Sequence, residues 1–166
     1  MESVTIRKAT ENDAETLLYF IKQLAEFEKL THQVHCTADD IRKFGFTTPP
    51  YFEALLVEDH KGINMGFALY FFTFSTFLSR PTLYLEDLFI LPQYRGKGLG
   101  EALLRHLIDI AVEHECGRME WSVLDWNTSA IQFYRSLGAR PIQGWSLYRL
   151  DRQVLQSHQR KDLPDK

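Results

Sequence analysis

Cysteine is scarce: Cys36 and Cys116 are the only two in 166 residues. They form no C-x-x-C pair, and His114-x-Cys116 has no second pair to close a metal shell, so neither a disulfide framework nor a zinc site is expected. Both thiols read as packing residues of a reduced, cytoplasmic protein. Long apolar runs are missing as well. The most apolar stretch, Gly66 to Leu78, is too short to cross a bilayer and is interrupted by Thr73, Ser75 and Thr76. The opening residues, Met1 to Lys8, carry too much charge for a signal peptide. Nor is positive charge in excess, with 19 Lys+Arg against 22 Asp+Glu and a formal charge of −3. That leaves no electrostatic footprint for duplex DNA or RNA, although a local basic pocket for one phosphorylated ligand stays open. The sequence has no internal repeat and no low-complexity block.

What is present suits one globular domain: 45% hydrophobic and 25% charged residues, in a chain able to bury a sizeable core. Val4 and Ile6 alternate with polar neighbours, as in a short strand. Thr10 with Asp13, and Thr37 with Asp40, are start signals for two helices, the first carrying Ala14, Leu17, Leu18, Ile21, Leu24 and Ala25 at helical spacing and the second ending near Gly45. Strands are expected over 51–57, 65–73 and 82–90. A long helix follows Gly100, with Leu103, Leu104, Leu107, Ile108, Ala111 and Val112 on one face and Gly117 at its C-terminal cap. A strand over 119–124, a helix from Asn127 or Thr128 to Leu137, and short strands at 139–142 and 145–150 complete the domain. The tail from Asp151 is polar, part helical or loose. The predicted fold is α/β. It has a mixed, mostly antiparallel sheet of six to seven strands with helices on both faces, one domain over 1–150 and one parallel crossover between 82 and 124.

The segment from Arg95 to Glu101 lies between a strand and a helix. Gly96, Gly98 and Gly100 let backbone N–H groups approach a ligand, the helix N-terminus adds donors and partial positive charge, and Arg95 and Lys97 add full charges. Together they suit a pyrophosphate. The dinucleotide fingerprint fails because Gly100 comes one residue early, and the nucleotide triphosphate loop fails because Lys97 is followed by Gly98. On its own the loop is as readily a glycine turn that caps a helix.

Its neighbours shift that balance. Arg95-x-x-Gly98-x-Gly100 after Leu88-Phe89-Ile90, and the later run from Asn127 to Tyr134 followed by Leu137-Gly138-Ala139, resemble the two acetyl-CoA segments of the GNAT superfamily of N-acetyltransferases. The runs Leu24 to Glu28, Tyr84 to Phe89, Tyr94-Arg95-Gly96, Asp125-Trp126-Asn127 and Gly144-Trp145 are similar to the diamine (spermidine/spermine) and thialysine acetyltransferases, over nearly the whole chain up to Leu150. The resemblance implies acetyl-CoA as co-substrate, with no metal and no covalent enzyme intermediate. Leu88, Phe89 and Ile90, the loop residues Arg95, Gly96, Lys97, Gly98, Leu99, Gly100 and Glu101, and Asn127, Thr128, Ser129 and Ala130 would hold the coenzyme.

A primary amine then attacks a thioester. An alkylammonium of pKa near 10.4 costs about 5 kcal/mol to deprotonate at pH 7, so the site must take a proton from it, and the departing thiolate must receive one. By resemblance Tyr134 is the acid and Glu86 the carboxylate that binds the amine and relays its proton. Adjacent strand residues face opposite ways, so Glu86 and Asp87 serve together only if a bulge intervenes. Phe27, Glu28, Glu120, Trp121, Ser122 and Gln143 fall where the family binds the amine chain. Phe27 lacks the hydroxyl of the tyrosine expected in polyamine acetylators, and Gln143 replaces a glutamate. Both point to a shorter acceptor: a diamine, thialysine or a lysine-like amine. The alternatives are a polyamine acetylator, a protein N-acetyltransferase and a non-catalytic CoA-sensing module. Retention of Tyr134 and Glu86 disfavours the last, and the aromatics of 71–77 with Trp126 suggest a closed pocket rather than a peptide groove. A homodimer is expected by analogy, with a small-molecule amine as partner and neither nucleic acid nor membrane.

Overall fold

Five strands form one sheet in the order of the chain: β1 (Val4–Lys8), β2 (Glu53–Asp59), β3 (Asn64–Ser75), β4 (Arg80–Ile90) and β5 (Arg118–Trp121). This computed structural model describes residues 4–159. The first four strands pair antiparallel and β5 joins β4 in parallel, so the crossover lies where the sequence places it. The helices are α1 (Ala14–Glu28), α2 (Ala38–Gly45), α3 (Leu99–Glu113), α4 (Thr128–Ser136) and α5 (Arg152–Ser157). The described residues fall into two compact units that part between Ser122 and Val123.

The first unit is built on its helix starts. Asp13 Oδ2 accepts from the backbone N–H and the hydroxyl of Thr10 at 2.7 and 2.9 Å, and both Asp13 oxygens take Arg7 N–H groups at 2.9 and 2.8 Å. Those donors, Arg7 foremost, hold the Asp13 carboxyl down at about 2. Thr37 and Asp40 close the same reciprocal cap on α2. Leu17 and Phe20 of α1 and Ile41 of α2 then pack on Leu56, Phe67, Leu69 and Phe89 of the sheet, with the Phe20 and Phe67 rings stacked 5.5 Å apart. The opposite pleat carries Leu55, Ala68, Leu83 and Leu85, all buried, and α3 covers it with Leu103, Leu104 and Leu107.

The α3 stripe is narrower than expected: Ile108 is 42% and Val112 71% exposed. The left-handed residue that ends α3 is Glu115 (φ 52), not Gly117. Gly117 is there for proximity, because its N–H donates to Pro81 O and a Cβ would stand 3.1 Å from Arg80 and Leu78.

The sheet has five strands rather than six to seven. Segments 139–142 and 145–150 are not strands, and β5 ends at Trp121. Strands exist by pairing, and Pro141 lacks an N–H while Gly144 turns left-handed at φ 81, so the run is interrupted twice and no ladder forms along it. Side chains from Arg140 to Leu150 are all exposed. Among the described residues, no helix is long and apolar enough to cross a membrane.

Candidate active site

β4 holds an irregularity that decides where its acids go. Leu69 of β3 faces Asp87, but the next residue, Tyr70, faces Leu85, so Glu86 is an extra residue on β4. Such a bulge breaks strict alternation and often re-aims a side chain next to a functional site. Asp87 keeps to the face of Leu69 and Phe89 and is largely buried, whereas Glu86 is exposed. Burial, then the negative charges of Glu86 and Glu28, push the Asp87 carboxyl up to about 7. Glu28 is the last residue of α1, where Lys29 (φ 60) ends the helix, and its carboxyl is also raised by burial. Among the described residues, none of these three carboxyls is in an ion pair.

A pair of aromatic rings lies next to these carboxyls. Phe27 and Phe89 bring their rings to 6.2 Å, and the Arg95 guanidinium lies 4.6 Å over the first and 5.1 Å over the second. Cys36 packs against the same core cluster, and its thiol is raised by burial and by the charges of Asp40 and Asp87. Of the expected acceptor residues, Phe27, Glu28 and Glu86 therefore gather here, and Asp87 joins them.

Glu120 and Ser122 lie farther along the same face of the sheet, and Trp121 and Gln143 lie elsewhere. Glu120 is in register with Tyr84, whose hydroxyl is 3.0 Å from Ser122 Oγ and whose ring stacks on Phe71 at 5.1 Å. The Glu120 carboxylate is already held by Arg118 at 3.0 Å. Trp121 is in register with buried Leu85 and so sits on the α3 side of the pleat. Gln143 is exposed in the second unit. Of the aromatics expected to close a pocket against a peptide, Phe74 is 64% and Phe77 95% exposed, and in the second unit Trp126 is 52% exposed.

Past the bulge, β4 outruns its parallel neighbour. β5 pairs only with Thr82 to Leu85, so among the described residues the β4 edge through Leu88, Phe89 and Ile90 has no strand beside it on that side. The chain then makes a 3-10 turn at Pro92–Tyr94 and enters the loop. Gly96 (φ 73) and Gly98 (φ 78) are left-handed, and a Cβ on either would meet nothing within 4 Å. Among the described residues, no backbone hydrogen bond uses the N–H of Gly96, Lys97 or Gly98. Leu99, Gly100 and Glu101 form the first turn of α3, where N–H groups have no intrahelical acceptor. A run of donors at a helix N-terminus beside open space fits the diphosphate of a coenzyme. Three side chains of this segment have contacts of their own within the chain. Arg95 turns back over the two rings, Lys97 Nζ lies 5.6 Å from the Tyr94 ring, and Glu101 accepts from Arg105 at 2.7 Å.

This geometry separates the glycines. Gly98→Ala places a β-carbon on a left-handed backbone at the cradle and is expected to weaken coenzyme A binding more than about tenfold by calorimetry. In Gly100→Ala the new carbon would meet only Leu88 and Ile90, at 3.8 and 3.9 Å, and the affinity is expected to stay within about threefold.

In the second unit Asn127 caps α4, its Oδ1 accepting from Ala130 N–H at 3.2 Å, so Thr128, Ser129 and Ala130 form the first turn. Tyr134 follows in the last turn, half-buried, with its ring 5.4 Å from Phe133, and left-handed Gly138 (φ 88) closes the helix.

The sequence profile of the acetyltransferase (GNAT) family matches residues 17–139. Thialysine N-epsilon-acetyltransferase of Mus musculus is 35% identical over 165 residues, taking in 93% of this chain and 96% of that one. L-ornithine N5-acetyltransferase of Arabidopsis thaliana is 31% identical, over 92% of this chain and 86% of its own. Among solved structures, an integron cassette protein from the mobile metagenome of V. cholerae has a TM-score of 0.77 at 26% identity, covering 95% of this chain and 98% of that chain.

Proposed function

The chain belongs to the GNAT family of acetyltransferases, and we propose that it moves the acetyl group of acetyl-CoA to a primary amine of a small cationic acceptor by direct attack in a ternary complex. One observation carries the choice of acceptor: Glu28, Glu86 and Asp87 gather at the β4 bulge without an ion-pair partner among the described residues, next to the contacting rings of Phe27 and Phe89. A cluster of carboxyls attracts an alkylammonium and repels anionic competitors. Relatives named for thialysine and L-ornithine favour a lysine-like amino acid or a diamine.

Acetyl-CoA, when bound, supplies an acyl thioester open to attack by an amine. The N–H groups from Gly96 to Glu101 hold its diphosphate, and the open β4 edge at Leu88, Phe89 and Ile90 takes the pantetheine arm and lends an N–H to the carbonyl oxygen as it gains charge. Asn127, Thr128, Ser129 and Ala130 contribute the second coenzyme segment. Asp87 pairs with the incoming ammonium and accepts its proton, which a carboxyl near pKa 7 does with far less loss than an ordinary aspartate. Glu86, exposed beside it, passes that proton to water. Tyr134 protonates the departing thiolate.

A panel of putrescine, ornithine, lysine, thialysine, spermidine and spermine, assayed with acetyl-CoA by free-thiol release, tests the acceptor. The best short amine is expected to exceed spermine by at least about tenfold in kcat/KM, the scale of one lost ion pair at the distal ammonium. A preference for spermine over every shorter amine overturns the assignment. The homodimeric state carried over from the family is read by sedimentation velocity.

A further inference from the structure

Arg95 occupies a position that neither coenzyme binding nor acceptor binding alone accounts for. Its backbone N–H closes the 3-10 turn on Pro92 O at 3.2 Å, and the next residue, Gly96, begins the coenzyme cradle. Its side chain runs the other way. Nε donates to Ile90 O at 2.9 Å, and the guanidinium lies over Phe27 at 4.6 Å and Phe89 at 5.1 Å. Phe27 precedes Glu28 at the end of α1, and Phe89 follows Asp87 by two residues on the same face of β4. One side chain therefore clamps the head of the coenzyme loop to both elements that carry the acceptor carboxyls.

The clamp is not a counter-ion for the acceptor carboxyls. Arg95 forms no ion pair among the described residues, and the charges that set the Asp87 carboxyl are those of Glu86 and Glu28. Burial lowers the Arg95 pKa, yet a guanidinium stays protonated, so the cation–ring contacts persist at working pH.

We propose that Arg95 is a positioning residue that couples the two ligands: ordering the loop on coenzyme fixes Arg95 on Phe27 and Phe89, which fixes the end of α1, so each ligand tightens the other. The inference rests on the functional reading above, which makes 96–101 the coenzyme site and Glu28 with Asp87 the acceptor site. Coupling of this kind is reciprocal, and two partly exposed cation–ring contacts set its size at about three- to tenfold.

Calorimetry measures it without turnover. Thialysine is titrated into the full chain with and without saturating coenzyme A, in wild type, Arg95→Met, Arg95→Lys and Phe27→Leu. Wild type is expected to bind thialysine about three- to tenfold tighter in the presence of coenzyme, and both Arg95→Met and Phe27→Leu to bring that ratio to about one. Arg95→Lys, a cation without the planar fork, should restore part of it. Phe27→Leu keeps Arg95, so it still decides the matter where Arg95→Met binds no coenzyme. A ratio that survives in Phe27→Leu, or an Arg95→Met protein that loses coenzyme affinity with its ratio intact, overturns the proposal. Wild type that binds both ligands with a ratio of one overturns it too, while leaving the acetyltransferase reading in place. Wild type that binds no coenzyme removes that reading and this inference with it.

Discussion

Tyr134→Phe is expected to lower kcat about a hundredfold or more while leaving the affinities for coenzyme A and for the amine within about threefold. The size follows from the leaving group. A thiol of pKa near 8.5 that departs unprotonated at pH 7 carries a penalty of about 2 kcal/mol, or roughly thirtyfold, before any loss of organisation in the transition state. General acids of this kind contribute about 10²- to 10⁴-fold. The substitution removes one oxygen from a half-buried ring that keeps its contact with Phe133. Thermal unfolding should shift by no more than about 4 °C, the scale of one hydrogen bond in a chain of this size. Single-turnover release of thiol separates the chemical step from product release. A variant that keeps a third or more of the wild-type rate in that assay leaves water as the proton donor and ends the assignment of Tyr134. The same measurement distinguishes an enzyme from a coenzyme sensor, because a sensor releases no thiol from either protein.

Much of the scaffold was legible because its signals are local. Thr10 with Asp13 and Thr37 with Asp40 mark helix starts, and both caps form at those residues. The 3.6-residue period of Leu17, Leu24 and their neighbours, and the strand–loop–helix passage through Ile90, Gly96 and Leu103, needed nothing from elsewhere in the chain. Features that depend on a partner were not legible. Segments 139–142 and 145–150 look like strands by composition, but Pro141 and left-handed Gly144 divide them, and composition does not report whether an edge is present to pair with. The candidate site divides the same way. Phe27, Glu28 and Glu86 could be named from the sequence, yet not the grouping that adds Asp87 and sends Trp121 to the other side of the sheet. Two adjacent acids in an apolar strand were the visible signal, and period-2 alternation argued that only one could serve. Register between Leu69 and Tyr70 decides that question, and a one-residue insertion in pairing leaves no mark in the strand that carries it. Arg95 is a similar case: its charge was visible, but the direction of its side chain depends on where Phe27 and Phe89 meet.

Asp87→Asn is expected to move activity and stability in opposite directions. In wild type the carboxyl, raised to about 7, must be ionised to pair with the ammonium and take its proton, so kcat/KM should climb about tenfold per pH unit below 7 and level off above it. The amide cannot accept a proton, and the variant depends on amine that is already neutral. At pH 7 that is about one part in 2,500 of an amine of pKa 10.4, which puts the loss near 10³-fold. The deficit should then shrink about tenfold per pH unit, with the variant still rising where wild type is flat. Stability follows from the same shift with the sign reversed. Because the folded-state pKa lies above the ordinary aspartate value of 3.8, the stabilising contribution is complete below pH 4 and is lost as pH rises through 7. Asparagine keeps the neutral form at every pH. The variant should therefore match wild type near pH 4 and unfold at a higher temperature at pH 8, where wild type holds a buried charge beside Glu28 and Glu86. An activity loss caused by misfolding would bring the melting temperature down instead. A variant whose pH profile keeps the wild-type plateau, or whose melting temperature falls at pH 8, removes Asp87 from the proton path and returns that role to Glu86.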